Sequence, residues 1–386
     1  MAVKTNYIVN GKKYFRVSAS FGRDSNGKLI RKYFYGKSEK EAKKKLEEYR
    51  DSMKSGLIID KHLFLYPIMK EWLFEIVRNE IKESTFDRYE DLFRNYIKTC
   101  PFAHKLIKDI RGIDIQKYYN NLYEKGKSSG RIQRVNKLLK QFFNYAYIEG
   151  YILKNPVLNV SIPGIKENIK KEVEVFSKDE LNKILNYEKD ELIKYITIVA
   201  FTTGMRMGEI LGLSENDIDF NTNIIHINRI VACYTRIDGD TRTKVKVLQS
   251  PKTKNSTRDI PLPTNLIPIL NKVKSIKLKN KLKAGSSYND EYLDLYFLTE
   301  DGNLIYPSNL TKSWKSFLKR LDIPYKKFHS LRHTYATMQF RANVPLKTVS
   351  KLLGHSKIDV TANIYTHVLK EDLDKSADIF NVLKMC

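Results

Sequence analysis

Residues 353–367 read Leu353-Gly354-His355-Ser356-Lys357-Ile358-Asp359-Val360-Thr361-Ala362-Asn363-Ile364-Tyr365-Thr366-His367. Gly354 is placed to stop a helix, because glycine enters the left-handed conformation that closes one without steric cost. His355 then projects from the turn, and Tyr365 follows ten residues later. One tyrosine among 24 identifies nothing by itself, and a half-buried core residue would read the same way. The stretch gains its meaning from three others upstream.

The nearest is His329-Ser330-Leu331-Arg332-His333-Thr334-Tyr335-Ala336-Thr337. Three residues apart on a helix, His329 and Arg332 share one face, while Leu331 and Tyr335 share another that can anchor it. A histidine beside an arginine suits proton transfer combined with charge neutralisation at phosphate. His329 and His333 also have the spacing of a zinc-binding helix. Against a metal, no glutamate follows the first histidine, and Arg332 between the two would repel a cation.

Further upstream stands Thr203-Gly204-Met205-Arg206-Met207-Gly208-Glu209-Ile210-Leu211. Gly204 is expected to end one helix and Arg206 to begin the next, an anion-binding position where a guanidinium can grip two phosphate oxygens. A surface arginine at a helix start is nevertheless commonplace. Between them lies Ser250-Pro251-Lys252-Thr253-Lys254-Asn255-Ser256-Thr257-Arg258-Asp259-Ile260-Pro261, polar turn residues between two β-like runs. It reads as a hairpin with lysines at its tip, able to reach a DNA groove, or as an ordinary charged turn.

Composition narrows the partners. Of 386 residues, 69 are Lys or Arg and 44 Asp or Glu, a net charge of +25. So large a surplus makes the folded chain repel itself unless a polyanion screens it, and nucleic acid is the leading candidate. The 42% hydrophobic content supports ordinary cores and excludes wholesale disorder. No apolar run reaches the ~20 residues of a membrane span. The opening MAVKTNYIVNGKKYF lacks the features of a secretory signal. Cys100, Cys233 and Cys386 include no CxxC pair, which argues against a disulfide framework or cysteine zinc site. The expected setting is a reducing, intracellular one, the cytoplasm.

Along the chain, the expected fold class is α+β with several domains. Residues 1–57 alternate short β-like runs with turns, and Ser38 with Glu41 forms a capping box opening a helix Glu39–Arg50. Over residues 1–55, 15 Lys and Arg stand against 6 Asp and Glu, about +9. A basic three-stranded sheet backed by a helix can enter the major groove, with Lys12, Lys13, Arg16, Arg31 and Lys32 as candidate contacts. A small solvated domain of other use fits the same pattern.

Residues 58–163 read as a helical domain. Ser84 is expected to cap a helix carrying Phe86, Tyr89, Leu92, Phe93, Tyr96 and Ile97. A second buries Ile115, Tyr118, Tyr119 and Leu122. A third, from about Ile132 to Ile148, buries Val135, Leu138, Leu139, Phe142 and Ala146. Arg131, Arg134, Lys137 and Lys140 lie off that last stripe and suit DNA backbone contact as well as they suit solvation. Asn155-Pro156 is expected to end the bundle. After a linker at 164–173, Ser177 and Glu180 form another capping box that opens a mainly helical domain, 174–386, with strands near Ile224–Val231 and Val245–Leu248.

Taken together, the four stretches resemble the tyrosine recombinase, or phage-type integrase, family, and integrases of mobile elements in particular. HSLRHTYAT and LGHSKIDVTANIYTHV are the most specific segments, and the resemblance runs in order from about residue 174 to the end. It implies that the family's two clamp arginines are Arg206 and Arg332, its hairpin lysine Lys252, its histidine positions His329 and His355, and its nucleophile Tyr365. Glu209 matches an acidic position expected to give structural support. None of the six main positions is substituted. The helical segment resembles the family's core-DNA-binding domain, and the basic amino-terminal piece its arm-site-binding domain.

The resemblance implies integration and excision of DNA through a 3′-phosphotyrosyl intermediate, without metal or nucleotide cofactor. The implied partners are double-stranded DNA at core and arm sites and three further copies of the chain in a tetramer. An excisionase and a host DNA-bending protein are the expected accessories. Two rival readings are a type IB-like topoisomerase, which relaxes supercoils without pairing two sites, and a non-catalytic DNA-binding regulator. The amino-terminal piece argues against the first, and the intact set of six residues against the second.

Overall fold

Strands β1 (Tyr7–Val9), β2 (Lys12–Arg23) and β3 (Leu29–Gly36) pair antiparallel in that order. The structure, a computed structural model, describes residues 7–9, 12–23, 29–54, 63–164, 173–251, 257–355, 358 and 361–362. The chain divides into two units, Met1–Ile169 and Lys170–Cys386.

In the first unit, helix α1 (Glu39–Lys54) lies along one face of the amino-terminal sheet through its buried Ala42 and Leu46. Ser38 Oγ accepts from the Glu41 amide at 3.1 Å, but the Glu41 carboxylate takes the Lys37 amide, so the predicted cap closes one residue early. Side chains alternate across a strand. Phe34, 5.3 Å from the Tyr49 ring, and Lys32, whose Nζ lies 4.6 Å over that ring, are therefore on the helix side. Arg31, Tyr33 and Tyr35 occupy the other face, where Arg16, paired with Tyr35 across the strands, stacks 4.1 Å over Tyr7 and 4.9 Å over Tyr33.

Helices follow. α2 (Leu65–Glu71), a π-helical stretch Trp72–Val77 and α3 (Arg78–Glu80) form one run, and α4 (Glu83–Leu92) continues through a second such stretch, Phe93–Ile97. α5 (Gly112–Glu124) and α6 (Ser129–Ile148) complete the bundle, whose interior holds Leu73, Phe86, Ile97, Tyr119, Leu139 and Phe142. Ser84 does not cap α4. The extended Lys82 precedes the helix and its carbonyl takes the Phe86 amide at 3.0 Å, leaving Ser84 inside the first turn with a buried hydroxyl that has no partner among the described residues. α6 begins earlier than its apolar stripe, because Ser128 Oγ accepts from the Arg131 amide at 3.3 Å. Beyond α6, the Asn155 side chain donates to the Lys140 carbonyl at 3.2 Å and accepts from the Val157 amide at 2.8 Å, pinning the chain as it leaves the bundle.

The second unit opens at α7 (Lys178–Leu185), where Ser177 and Glu180 form the expected reciprocal cap at 2.8 and 3.2 Å. α8 (Leu192–Thr203) is buried on nearly every side, as befits a helix with apolar residues all round. A short α9 (Met207–Leu211) leads to β4 (Ile218–Asp219) and β5 (Ile224–Ile227), then to a hairpin of β6 (Ile230–Asp238) and β7 (Thr241–Gln249). β8 (Arg258–Pro261) returns to pair with β5.

Two strand expectations change here. The runs near Ile224–Val231 and Val245–Leu248 belong to three strands, and β7 and β8 do not pair with each other across residues 250–257. The tight Gly239-Asp240 turn, with Gly239 at φ 55°, sets β6 against β7 in continuous register and leaves β8 to the other sheet. α10 (Ile267–Ala284), α11 (Pro307–Arg320), α12 (Ser330–Arg341) and α13 (Leu346–Leu353) complete the unit, with α10, α11 and α12 packed on α8. Among the described residues no helix is long and apolar enough to cross a membrane.

Candidate active site

Three consecutive carbonyls at the end of α13 each accept a hydrogen bond from a different arginine. Arg258 Nε donates to Leu352 at 2.6 Å, Arg332 Nη2 to Leu353, and Arg206 Nη2 to Gly354 at 3.0 Å. The last carbonyls of a helix lack intrahelical partners and carry its partial negative charge, so cations gather there favourably. Gly354 makes this end available by adopting the left-handed conformation (φ 65°) that sequence reading assigned to it.

The arginines arrive from separate elements. Gly204 closes α8 at φ 66°, and a Cβ there would stand 2.5 Å from Tyr335 Cδ1, so only glycine lets the turn press against α12. Arg206 follows as the cap of α9, as expected, but its guanidinium turns toward Glu209 and the Gly354 carbonyl. Arg332 lies in the first turn of α12, 2% exposed, and donates through Nη1 to the Gly204 carbonyl at 2.8 Å. His329 is the cap just ahead of that turn.

Glu209 sits beneath the cluster, 2% exposed. Its oxygens accept from Arg206 Nη1 at 2.7 Å, Arg258 Nη1 at 3.0 Å, Arg258 Nη2 at 2.8 Å and the Arg206 amide at 2.8 Å. Burial pushes this carboxyl up, but the hydrogen bonds and charge of Arg258, then the charge of Arg206, outweigh it and hold it at about 2. One carboxylate thus bonds two guanidinium cations, with the charge of Arg332 nearby. Arg332 Nε is buried with no partner among the described residues. Burial, then the nearby Arg206 and Arg258 charges, push Arg332 down to about 9, which still leaves it a cation at neutral pH.

The histidines lie beside this charge. Enclosure by the protein, then His333, Arg332 and Arg206, push the surface-lying His329 imidazole below its usual range, so it is neutral near pH 7. His329 and His333 meet edge to face with centroids 4.8 Å apart, and the His333 Nδ1 is buried without a partner among the described residues. His355 follows Gly354, and its Nδ1 lies 2.8 Å from the hydroxyl of the fully buried Thr361. Burial, then Arg332 and Arg206, push it down as well, to about 4. Neutral imidazoles in a cationic pocket can accept a proton or donate a hydrogen bond to a phosphate oxygen.

The structure therefore brings Arg206, His329, Arg332 and His355 together. Lys252 and Tyr365 lie outside the described residues, as do the side chains of Lys12 and Lys13. Among the described residues no cluster of three or more His, Cys, Asp or Glu could hold a metal ion. Arg134, Lys137 and Lys140 are exposed on α6, whereas Arg131 is half-buried and bonded to Asp91 at 3.2 Å.

Sequence reasoning assigned Arg258 no role. A signal was present: along β8 the inward positions are Arg258 and Ile260, so a charged residue stands where strand alternation asks for an apolar one.

Two stretches of the chain match family models. Residues 174–372 match the model of the Phage integrase family, and residues 64–123 that of the Phage integrase, N-terminal SAM-like domain. A "Tyrosine recombinase XerC-like" protein of Caldanaerobacter subterraneus subsp. tengcongensis is 48% identical, covering 99% of this chain and 100% of its own. The ICEBs1 integrase of Bacillus subtilis is 26% identical over 98% of this chain and 100% of its own. Among solved structures, the Tn1549 transposon integrase in complex with a circular intermediate DNA superposes with a TM-score of 0.65 at 19% identity, covering 81% of this chain and 99% of that one.

Proposed function

The chain belongs to the phage integrase family of tyrosine recombinases, which cleave and rejoin DNA through a tyrosine, and we propose that it integrates and excises a mobile element with Tyr365 as nucleophile. The observation that carries the site assignment is the buried guanidinium cluster of Arg206 and Arg332, with the Arg332 Nε donor unpartnered among the described residues and His329 and His355 beside it. The family match over residues 174–372 spans Tyr365 and supports its assignment.

A phosphodiester repels anionic nucleophiles, so the two arginines must neutralise its non-bridging oxygens as negative charge grows in the pentavalent transition state. A free tyrosine ionises near ~10, and the same cationic field favours its phenolate. His329, neutral near pH 7, accepts or relays the phenolic proton. His355, oriented by Thr361, hydrogen-bonds a phosphate oxygen, and Lys252 protonates the departing 5′ oxygen. The resulting 3′-phosphotyrosyl bond keeps its energy for religation to another strand.

In this reading residues 58–163 grip the core site, with Arg134, Lys137 and Lys140 facing the DNA backbone, and residues 1–57 bind arm sites. Four copies act together on paired sites in the cytoplasm, aided by an excisionase and a DNA-bending protein. The integrase relative that shares full-length coverage favours integration over supercoil relaxation. The test is a nicked suicide duplex carrying the junction of the element with its host DNA. Peptide mapping of the trapped complex should place the nucleotide on Tyr365, and its appearance on any other residue would overturn the assignment.

A further inference from the structure

We propose that Arg258 is a positioning residue for strand cleavage, holding Glu209 and the Leu352–Gly354 turn so that Arg206, Arg332 and His355 converge on one phosphate. The inference rests on the active-site reading above and extends it to a residue that touches none of the reacting atoms.

Arg258 opens β8, opposite Ile227 of β5, and points inward with only 7% exposure. Burying a cation is costly unless its charge and donors are all met. Here they are met by two targets at once. Nη1 and Nη2 each take one oxygen of Glu209, at 3.0 and 2.8 Å, and Nε takes the Leu352 carbonyl at 2.6 Å. Only a planar fork does this, since an ammonium is a single point of charge.

The consequence runs outward from Glu209. With both oxygens held by Arg258, Oε1 receives Arg206 Nη1 at 2.7 Å and Oε2 receives the Arg206 amide at 2.8 Å. Backbone and head group of the clamp arginine are thus aimed by a carboxylate that Arg258 orients. The same guanidinium grips the carbonyl of Leu352, three residues before His355. Isoleucine at this inward position would satisfy the core without desolvating a charge, as Ile260 does two residues on.

The groups facing Glu209 are Arg206, Arg258, Arg332 and His329. Removing Arg258 leaves the burial that raises the carboxyl and takes away the strongest influence lowering it. Protonation of Glu209 would then release Arg206 within the working pH range. That signature separates positioning from a purely structural tie between β8 and α13.

The full-length chain and its R258K and R258M variants are to be compared on the nicked junction duplex, measuring DNA affinity, single-turnover adduct formation and its pH profile. R258K retains the charge but not the fork, so it should melt below the parent yet still fold, and form adduct about 10- to 100-fold more slowly with affinity changed less than about threefold. R258M should add an acidic limb to the pH profile, absent from the parent, which Glu209→Gln in the same chain removes. Should R258M fail to fold, R258K carries the test. A parent chain that forms no adduct would overturn the active-site reading and this inference with it. A parent that reacts, beside an R258K variant of equal rate, would overturn the inference alone.

Discussion

Arg206 Nη2 and the Gly354 carbonyl, 148 positions apart in the chain, are joined by a 3.0 Å hydrogen bond. The bond ties the residue preceding His355 to the guanidinium of the residue that caps α9. Arg332 strengthens the union by bridging Gly204 and Leu353, two residues before Arg206 and one before Gly354. Preorganisation of this kind spares reorganisation when charge develops on a bound phosphate.

Arg332→Lys should therefore lower adduct formation much more than DNA affinity. Lysine keeps the cation but not the fork that holds two carbonyls. A loss of about 10²- to 10³-fold in single-turnover cleavage is expected, with affinity changed less than about threefold. Equal losses in both, read by suicide-substrate kinetics and gel shift, would contradict a transition-state role.

Glu209→Ala should be a stability variant before it is an activity variant. The substitution leaves Arg258, 7% exposed, and Arg206 without their shared counter-charge. Breaking a buried pair from one side costs about 3–5 kcal/mol, because the remaining cation is stranded. Denaturant unfolding should show that loss, while a change under about 1 kcal/mol would mean that solvent reaches the cluster.

Much of this site could be read along the chain because helix ends announce themselves. Gly204, Arg206, Gly354 and the Ser177 cap occupy the positions expected, since caps depend on a few neighbouring residues. Arg258 escaped because its meaning lies in Glu209 and Leu352, 49 and 94 positions away, which no local spacing encodes. The strand pairing of 224–261 escaped for a related reason: short β-like runs do not state their partners, and the Gly239 turn decided them. Ser84 misled because a capping residue type just ahead of an apolar stripe resembles a cap even when the helix has already begun.

Acidification should weaken the second unit well before Glu209 takes a proton in the folded chain. His333 and His355, both half-buried, are held below the ordinary histidine value, first by burial and then by neighbouring cations. Unfolded histidines take protons near pH ~6.5 while the folded ones do not, so stability falls as pH drops through that value toward about 4. Glu209, held at about 2, adds its own loss only below its unfolded value of 4.5. Melting temperature should decline between about pH 6.5 and 4.5. Bound duplex should shrink the decline, because a phosphate beside the imidazoles stabilises their charged forms. A melting temperature flat across that range would show that the histidines are not held neutral.

The two faces of the amino-terminal sheet should separate in DNA binding. Arg16 and Arg31 lie on the face away from α1, beside Tyr33 and Tyr35, which are 46% and 37% exposed. Lys32 lies on the helix side, with its ammonium over the Tyr49 ring. If the open face meets DNA phosphates, Arg16→Ala and Arg31→Ala should each weaken arm-site binding and reduce the salt dependence of log K by ~1, one released counterion apiece. Lys32→Ala should leave that slope nearly unchanged. Fluorescence anisotropy with an arm-site duplex over a salt series reads both quantities. A slope that fell for Lys32→Ala and held for Arg16→Ala would place the DNA on the opposite face.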